Sequence, residues 1–264
     1  MAEALTLSEV RINAEAVAAL SSLLNDMLDG AQPVPLTSPA LLLGHPGLQE
    51  VAAKMVPPQG QGVVHEAQSF RVLRSLRPDD TLTLEVATPE VSSGRVFDFR
   101  WSVAGEPAGE MQTRLKFVPP EVMVNLKGAA FTERQKHPEM IWFETSAFAA
   151  DAVRHYLDLA NDSNPIHVDD RAARLVGLDG AVVPGMFFAG VIEAALDRGL
   201  KAGSIESLKV RFMAPVPVGV KLKLAVLPRQ RDENGIVRTA RVFVVSAESI
   251  ITAVADAEFG GQFA

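Results

Sequence analysis

Two stretches 140 residues apart carry the same alternating apolar pattern, and this repetition limits the fold more than any other feature of the 264-residue chain. "LRPDDTLTLEV" (76–86) and "VPVGVKLKLAV" (216–226) align Leu82, Leu84 and Val86 with Leu222, Leu224 and Val226. Period-two alternation is the mark of a strand with one buried face. The match then continues with little drift. "GRVFDFRWSV" from Gly94 aligns with "GIVRTARVFV" from Gly235 at an offset of 141, and "EMQTRLKF" ending at Phe117 aligns with "VADAEF" ending at Phe259 at 142. Upstream, "HPGL" (45–48) aligns with "VPGM" (183–186) at 138. Four blocks in one order favour a duplicated unit; the residue-by-residue match is weak, so two unrelated antiparallel sheets are the competing reading.

Each half reads as a leading segment, a central helix and a run of strands. In the first, Leu48, Val51, Ala52 and Met55 have the spacing of one apolar helix face. In the second, "MFFAGVIEAALDRGL" (186–200) is apolar almost all round, as expected of a helix buried on most sides. The Asn234-Gly235 pair suits a tight hairpin. A sheet with one apolar face wrapped on such a helix buries both surfaces at once. "PPEVMVNLKGAAFTERQKHPEM" (119–140) has prolines near both ends and no sustained period, and is expected to join the halves. The expected division is residues 1–120, a linker over 121–140, and residues 141–264.

Composition narrows the function. A formal net charge of −7 with no dense Lys/Arg run argues against a nucleic-acid or anionic-membrane surface. The chain has no cysteine, which removes disulfides, thiolate metal sites and cysteine nucleophiles. The first twenty residues, with Glu3 and Glu9, lack the basic and apolar regions of a signal peptide, and no apolar run reaches bilayer length. The expected location is the cytoplasm. There is no GxGxxG, P-loop or GxSxG pattern, so no nucleotide cofactor is implied.

The densest polar cluster is "NDSNPIHVDD" (161–170), following a helical pattern over 151–160 in which Val153, Tyr156, Leu157 and Ala160 share a face and Asp151 favours the N-terminus. Asn161 sits where a left-handed residue would end that helix, and Pro165 forbids its continuation while holding Asn164 extended. Read as a turn, the cluster only satisfies its own backbone. Read as a site, Asp162 and His167 converge across a proline-stiffened turn, a carboxylate beside an imidazole suited to general acid–base work.

The cluster, an alanine after it (Ala172 or Ala173), and "GLDGAVVPGM" (177–186) together resemble the hydratase signature of the MaoC-like, or (R)-specific enoyl-CoA hydratase, family, over roughly residues 145–259. The resemblance implies an α+β fold, a tandem (double) hot-dog with antiparallel sheets each wrapped around a central helix, the first half having lost its motif and completing the acyl pocket. It implies that Asp162 and His167 are the catalytic dyad. On the substrate side it implies Asn164, Pro184 and Gly185, with Asn164 and Pro165 fixing the turn and the Gly185 N–H, at a helix start, binding a thioester carbonyl. It implies no cofactor: the partner is an acyl-CoA or other acyl-thioester substrate, with a homodimer as the possible assembly. The chain departs from the family pattern at Ala160 and Asn161, where Ser-Gly is usual, and at Pro184, where histidine is usual; proline is comfortable at a first helical position. In the first half, Asn25-Asp26 falls opposite Asn161-Asp162, but no histidine lies opposite His167, so one site per chain is expected.

The remaining candidates read as structural. His65-Glu66 begins a His-Glu-x-x-His pattern, but Ser69 stands at the second histidine, leaving a turn or strand residue and no metal site. His45 and His137 precede prolines and read as loop residues, and His155 as an exposed helix residue. Asp169 and Asp170 read as caps of the following helix. Arg171, Arg174, Lys209 and Arg211 are either coenzyme A phosphate contacts or solvated surface. The leading expectation is a hydratase or dehydratase of 2-enoyl and 3-hydroxyacyl thioesters. The alternatives are a non-catalytic acyl-CoA-binding protein or partner subunit, and a hot-dog thioesterase.

Overall fold

The structure is a computed structural model that describes residues 3–77, 80–91, 94–200 and 202–260. The first half contains β1 (Glu3–Val10), α1 (Ala14–Met27), α2 (Gln49–Ala53), β2 (Gly62–Val72), β3 (Leu82–Thr88), β4 (Arg95–Val103) and β5 (Glu106–Val118). α3 (Pro120–Met123) and β6 (Ala129–Ala130) follow. The second half contains β7 (Ile141–Glu144), α4 (Ala150–Ala160), α5 (Asp170–Leu175), α6 (Gly185–Gly199), β8 (Ile205–Phe212), β9 (Lys223–Arg231), β10 (Val237–Val245) and β11 (Ile250–Phe259).

All strands belong to one antiparallel sheet with the order β1-β3-β4-β5-β2-β8-β11-β10-β9-β7, and β6 pairs with β11 beside this path. The order is mirrored about its centre, each half giving five strands and the halves meeting where β2 pairs with β8. The repeat seen in the sequence is thus a repeat of units, two hot-dogs fused along one seam. The aligned positions Leu82, Leu84, Val86, Leu222, Leu224 and Val226 are all buried, as the alternation requires.

The helices break the symmetry. α6 is buried from Phe187 through Leu196 and packs on β2 of the first half as well as on β8 and β9 of its own. Its counterpart is far shorter. Where the apolar spacing from Leu48 predicts a central helix, the chain makes two 3₁₀ turns, Ser38–Gly44 and Pro46–Leu48, and then only the five residues of α2. Leu48 and Val51 are buried but Ala52 is exposed and Met55 half-buried. Pro57 and Pro58 bar any extension, and α6 already packs on a strand of this half. The Asn234-Gly235 pair lies in the short hairpin turn between β9 and β10, as expected. Asp232 organises the turn, its carboxylate accepting the N–H groups of Asn234 and Ile236, with left-handed geometry at Gly235. Between the halves, α3 and β6 are short interruptions of an otherwise irregular crossing.

Polar contacts tie the first half to helices of the second, and two of them are buried or close-packed enough to shape the fold. Glu193, buried in the middle of α6, accepts the Leu36 N–H at 2.6 Å, the Thr37 N–H at 3.1 Å and the Thr37 hydroxyl at 2.9 Å. The second contact is at the end of α4. Asn161 caps that helix in the left-handed conformation, φ 49° and ψ 41°, and its side-chain amide donates to the Gly44 carbonyl at 3.3 Å. Gly44 is pressed so closely on this turn that a Cβ there would lie 2.7 Å from both the Ala160 carbonyl oxygen and the Asn161 Cβ.

Both contacts are testable. Burial and the neighbouring Asp197 push the Glu193 carboxyl up to about 8, against the three hydrogen bonds that favour its charged form. The folded chain then holds that proton more tightly than the unfolded one, whose carboxyl titrates near 4.5. The group's contribution to stability is therefore full below the unfolded value and is lost as pH rises toward about 8. Urea denaturation from about pH 5 to about pH 8 should show the wild type losing stability relative to Glu193→Gln; parallel curves would contradict the assignment. At the α4 exit, Asn161→Ala should cost about 1 kcal/mol through left-handed strain and the lost bond to Gly44. Asn161→Gly should cost less, because glycine takes that conformation freely. Gly44→Ala should also destabilise, because its Cβ meets backbone that cannot yield. Chemical denaturation of the three variants separates these terms.

Candidate functional site

The cluster that follows α4 is assembled by local rules. Val153, Tyr156, Leu157 and Ala160 form the buried face of α4, as their spacing predicts. The left-handed Asn161 reverses the chain, and the Asp162 N–H closes the helix end by donating to the Leu157 carbonyl at 2.9 Å. Asn164 is extended ahead of Pro165 and caps the 3₁₀ turn Pro165–His167, its side chain accepting the Ile166 N–H.

The Asp162 carboxylate divides its two oxygens. Oδ1 accepts the Asn164 N–H at 2.9 Å, which locks the side chain, while Oδ2 faces His167 Nε2 at 3.9 Å. His167 Nδ1 lies 2.7 Å from the Val182 carbonyl. A nitrogen that close to a carbonyl oxygen carries the proton, so the neutral ring turns its Nε2 lone pair toward Asp162. The imidazole is only 10% exposed and the carboxylate 37%. Burial pushes the His167 pKa down, while Asp162 and the Val182 carbonyl pull it the other way.

Val182 also brings the start of α6 to the same place. Its N–H donates to Ile166 and the next residue's N–H to Val216, so the strand-like stretch before α6 is fixed to the 3₁₀ turn on one side and to the loop after β8 on the other. Pro184 then caps α6, one residue earlier than the first helical position expected for it, because its ψ of 134° is extended rather than helical. It is buried and offers no side-chain cap, and Gly185 is the first helical residue. The Gly185 N–H is thus among the helix-start donors that carry the positive end of the dipole. Space requires the glycine: a Cβ there would lie 2.7 Å from His65 Nδ1 and 3.2 Å from Phe212 Cζ.

Two residues near this point carry no signal as site residues in the sequence. His65 is on β2, as a strand reading allows, but it belongs to the first half and reaches the start of α6 across the seam. Tyr156, the chain's single tyrosine, is buried and stacks on Phe187 with centroids 4.9 Å apart. Burial raises its phenol pKa and the charge of Asp162 raises it further. Its helical spacing marks it only as core.

The other candidates lie apart or take structural roles. Asp169 accepts the Arg171 N–H as the cap of α5, and Asp170 accepts the Ala181 N–H at 2.9 Å. His45 and His137 each accept a backbone N–H two residues on, and His155 is exposed on α4. Arg171, Arg174, Lys209 and Arg211 are exposed, Arg174 being held by Asp170 and the Asp179 carbonyl. In the first half, Asn25 caps the Gly30 and Ala31 N–H groups, and Ala31 stands opposite His167. Among the described residues, no group of three or more His, Asp or Glu side chains is arranged to hold a metal, and no helix is long and apolar enough to cross a membrane.

Comparison with known proteins bears on the same region. Residues 131–249 match the family model described as MaoC like domain. The mitochondrial 3-hydroxyacyl-[acyl-carrier-protein] dehydratase of Arabidopsis thaliana is 26% identical over 76 residues, 29% of this chain and 46% of that protein. The match therefore spans less than half the length of this curated relative. Among solved structures, HtdX of Mycobacterium tuberculosis superposes with a TM-score of 0.69 at 20% identity, covering 98% of this chain and 100% of that one. A MaoC-like dehydratase from Phytophthora capsici gives 0.68 at 18% identity, covering 99% and 96%. At such identities the structural likeness is one of fold. The chain is thus a double hot-dog in fold, and its residues 131–249 match the MaoC like domain model.

Proposed function

We propose that the protein is a hydratase or dehydratase of acyl thioesters, interconverting a 2-enoyl and a 3-hydroxyacyl thioester, with Asp162 and His167 as its catalytic dyad. The observation that carries this reading is the 3.9 Å gap between Asp162 Oδ2 and His167 Nε2. It is too long for a direct hydrogen bond, yet a single oxygen can sit within hydrogen-bond distance of both atoms. In the hydration direction that oxygen is water. It loses a proton to the dyad as its oxygen bonds to C3, the C2–C3 π pair moves toward the carbonyl, and the dyad returns a proton to C2. Dehydration is the same path reversed, the C3 hydroxyl leaving as water.

The enolate charge that develops on the thioester oxygen needs donors fixed beforehand, and the N–H of Gly185 at the start of α6 is such a donor. Asn164 holds Asp162 by its backbone, and Pro184 sets the entry to the helix. In this reading residues 1–120 act as the partner that completes the acyl pocket, and each chain has one site. The match to a dehydratase family model over residues 131–249 supports the reaction class. The acyl carrier, coenzyme A or a carrier protein, is part of the proposal.

The test follows the conjugated double bond in the ultraviolet with a short 2-enoyl-CoA. Asp162→Ala and His167→Ala should each lower kcat/KM by roughly 10²–10⁴-fold, the range for loss of general acid–base catalysis. Turnover unchanged in both variants would remove the dyad from the mechanism. Release of free thiol by the wild type, with no change in the double bond, would favour the thioesterase reading, and binding without either change a non-catalytic one.

A further inference from the structure

The start of α6 is lined from the first half by an imidazole that the dyad does not use. His65 is half-buried on β2, its ring centroid 4.6 Å from that of Phe212 on β8 and its Nδ1 2.7 Å from where a Cβ on Gly185 would stand. The other nitrogen is anchored. His65 Nε2 lies 3.1 Å from Gln68 Oε1, and that same oxygen accepts the Thr113 hydroxyl at 2.9 Å while the Gln68 amide donates to the Ser69 carbonyl. Gln68 and Thr113 are buried, so the network is insulated from solvent. An oxygen that already accepts one hydrogen bond presents only lone pairs to the imidazole. Nε2 therefore carries the proton, and Nδ1 is left as an acceptor. Burial holds the ring's pKa down to about 4, His167 lowering it slightly while Gln68 and the Ala67 carbonyl oppose, so this neutral form persists near neutral pH.

An acceptor beside a carbonyl-binding N–H cannot itself hold the thioester, which has no donor. It suits a donor on the far side of the sulfur. In a thioester carried on a pantetheine arm, the first such group is the amide N–H two carbons from the sulfur. We propose that His65 Nδ1 accepts that amide N–H, so that the first half reads the carrier arm while the second performs the reaction. This inference rests on the acyl-thioester reading of the site.

The test compares two enoyl thioesters differing in one group: that of N-acetylcysteamine, which keeps the amide, and that of 2-acetoxyethanethiol, in which an ester oxygen replaces N–H. The wild type should favour the amide by up to about tenfold in kcat/KM, the worth of one neutral hydrogen bond. His65→Phe retains a ring against Phe212 and should bring the preference to within about twofold, mainly by losing amide turnover. A preference unchanged in His65→Phe, or absent from the wild type, overturns the role of His65 while leaving the hydratase reading intact. Failure of the wild type to turn over either compound overturns both. A second measurement needs no variant. On binding the saturated amide thioester, the nitrogen-15 resonance of His65 Nδ1 should shift upfield; an equal response to the ester analogue, or none, counts against the proposal.

Discussion

The architecture depends on the burial of α6. A helix with ten consecutive buried residues, Phe187 to Leu196, has no face left for solvent. A single curved sheet covers one side of such a helix, and the rest must meet something equally apolar. The second half therefore cannot close its own core, and the first half supplies β2, α1 and the loop around Thr37. The approach is close: at Gly190 a Cβ would lie 2.8 Å from a Leu24 methyl, which would have to shift to admit it. The one carboxyl group on this buried run, Glu193, is held by three donors from the first half, which partly offset the burial that favours its protonated form.

The same packing concentrates chemistry at one end of α6. The helix start is fixed by Val182, which serves both His167 and the 3₁₀ turn, so the Asp162–His167 pair and the helix-start donors are tied to one backbone stretch. Asp162 gains its orientation from the backbone of Asn164 rather than from His167, which leaves the space between the two side chains open to an oxygen from elsewhere. Rigidity of this kind lowers the cost of reorganisation when charge develops.

Much of this was legible in the sequence because it follows from local rules. Alternation at Leu82–Val86 and Leu222–Val226 gave the strands, and near-constant offsets gave the mirrored halves. Asn161, Asn164 and Pro165 announced a helix exit through their own backbone preferences. What escaped depends on contacts distant along the chain. His65 meets Gly185 across 120 residues, and the incomplete His-Glu-x-x-His pattern at 65–69 points only to a metal site that Ser69 excludes, since the strand pattern says which face it occupies and not what lies opposite. The short α2 was misread because apolar spacing cannot reveal that another helix already packs on the same sheet. Tyr156 was read only as core, since helical spacing does not tell which core residues lie near a carboxylate.

The grip of Gly44 on Asn161 has a consequence for how such chains diverge. After a duplication, each copy is usually thought free to drift while the other retains the task. Here the half without Asp162 and His167 presses its backbone against the turn that leads to them, and the amide of Asn161 closes the contact. A recombinant chain exchanging one half with a homologue inherits a working turn only if the residues meeting at 44 and 161 are exchanged together.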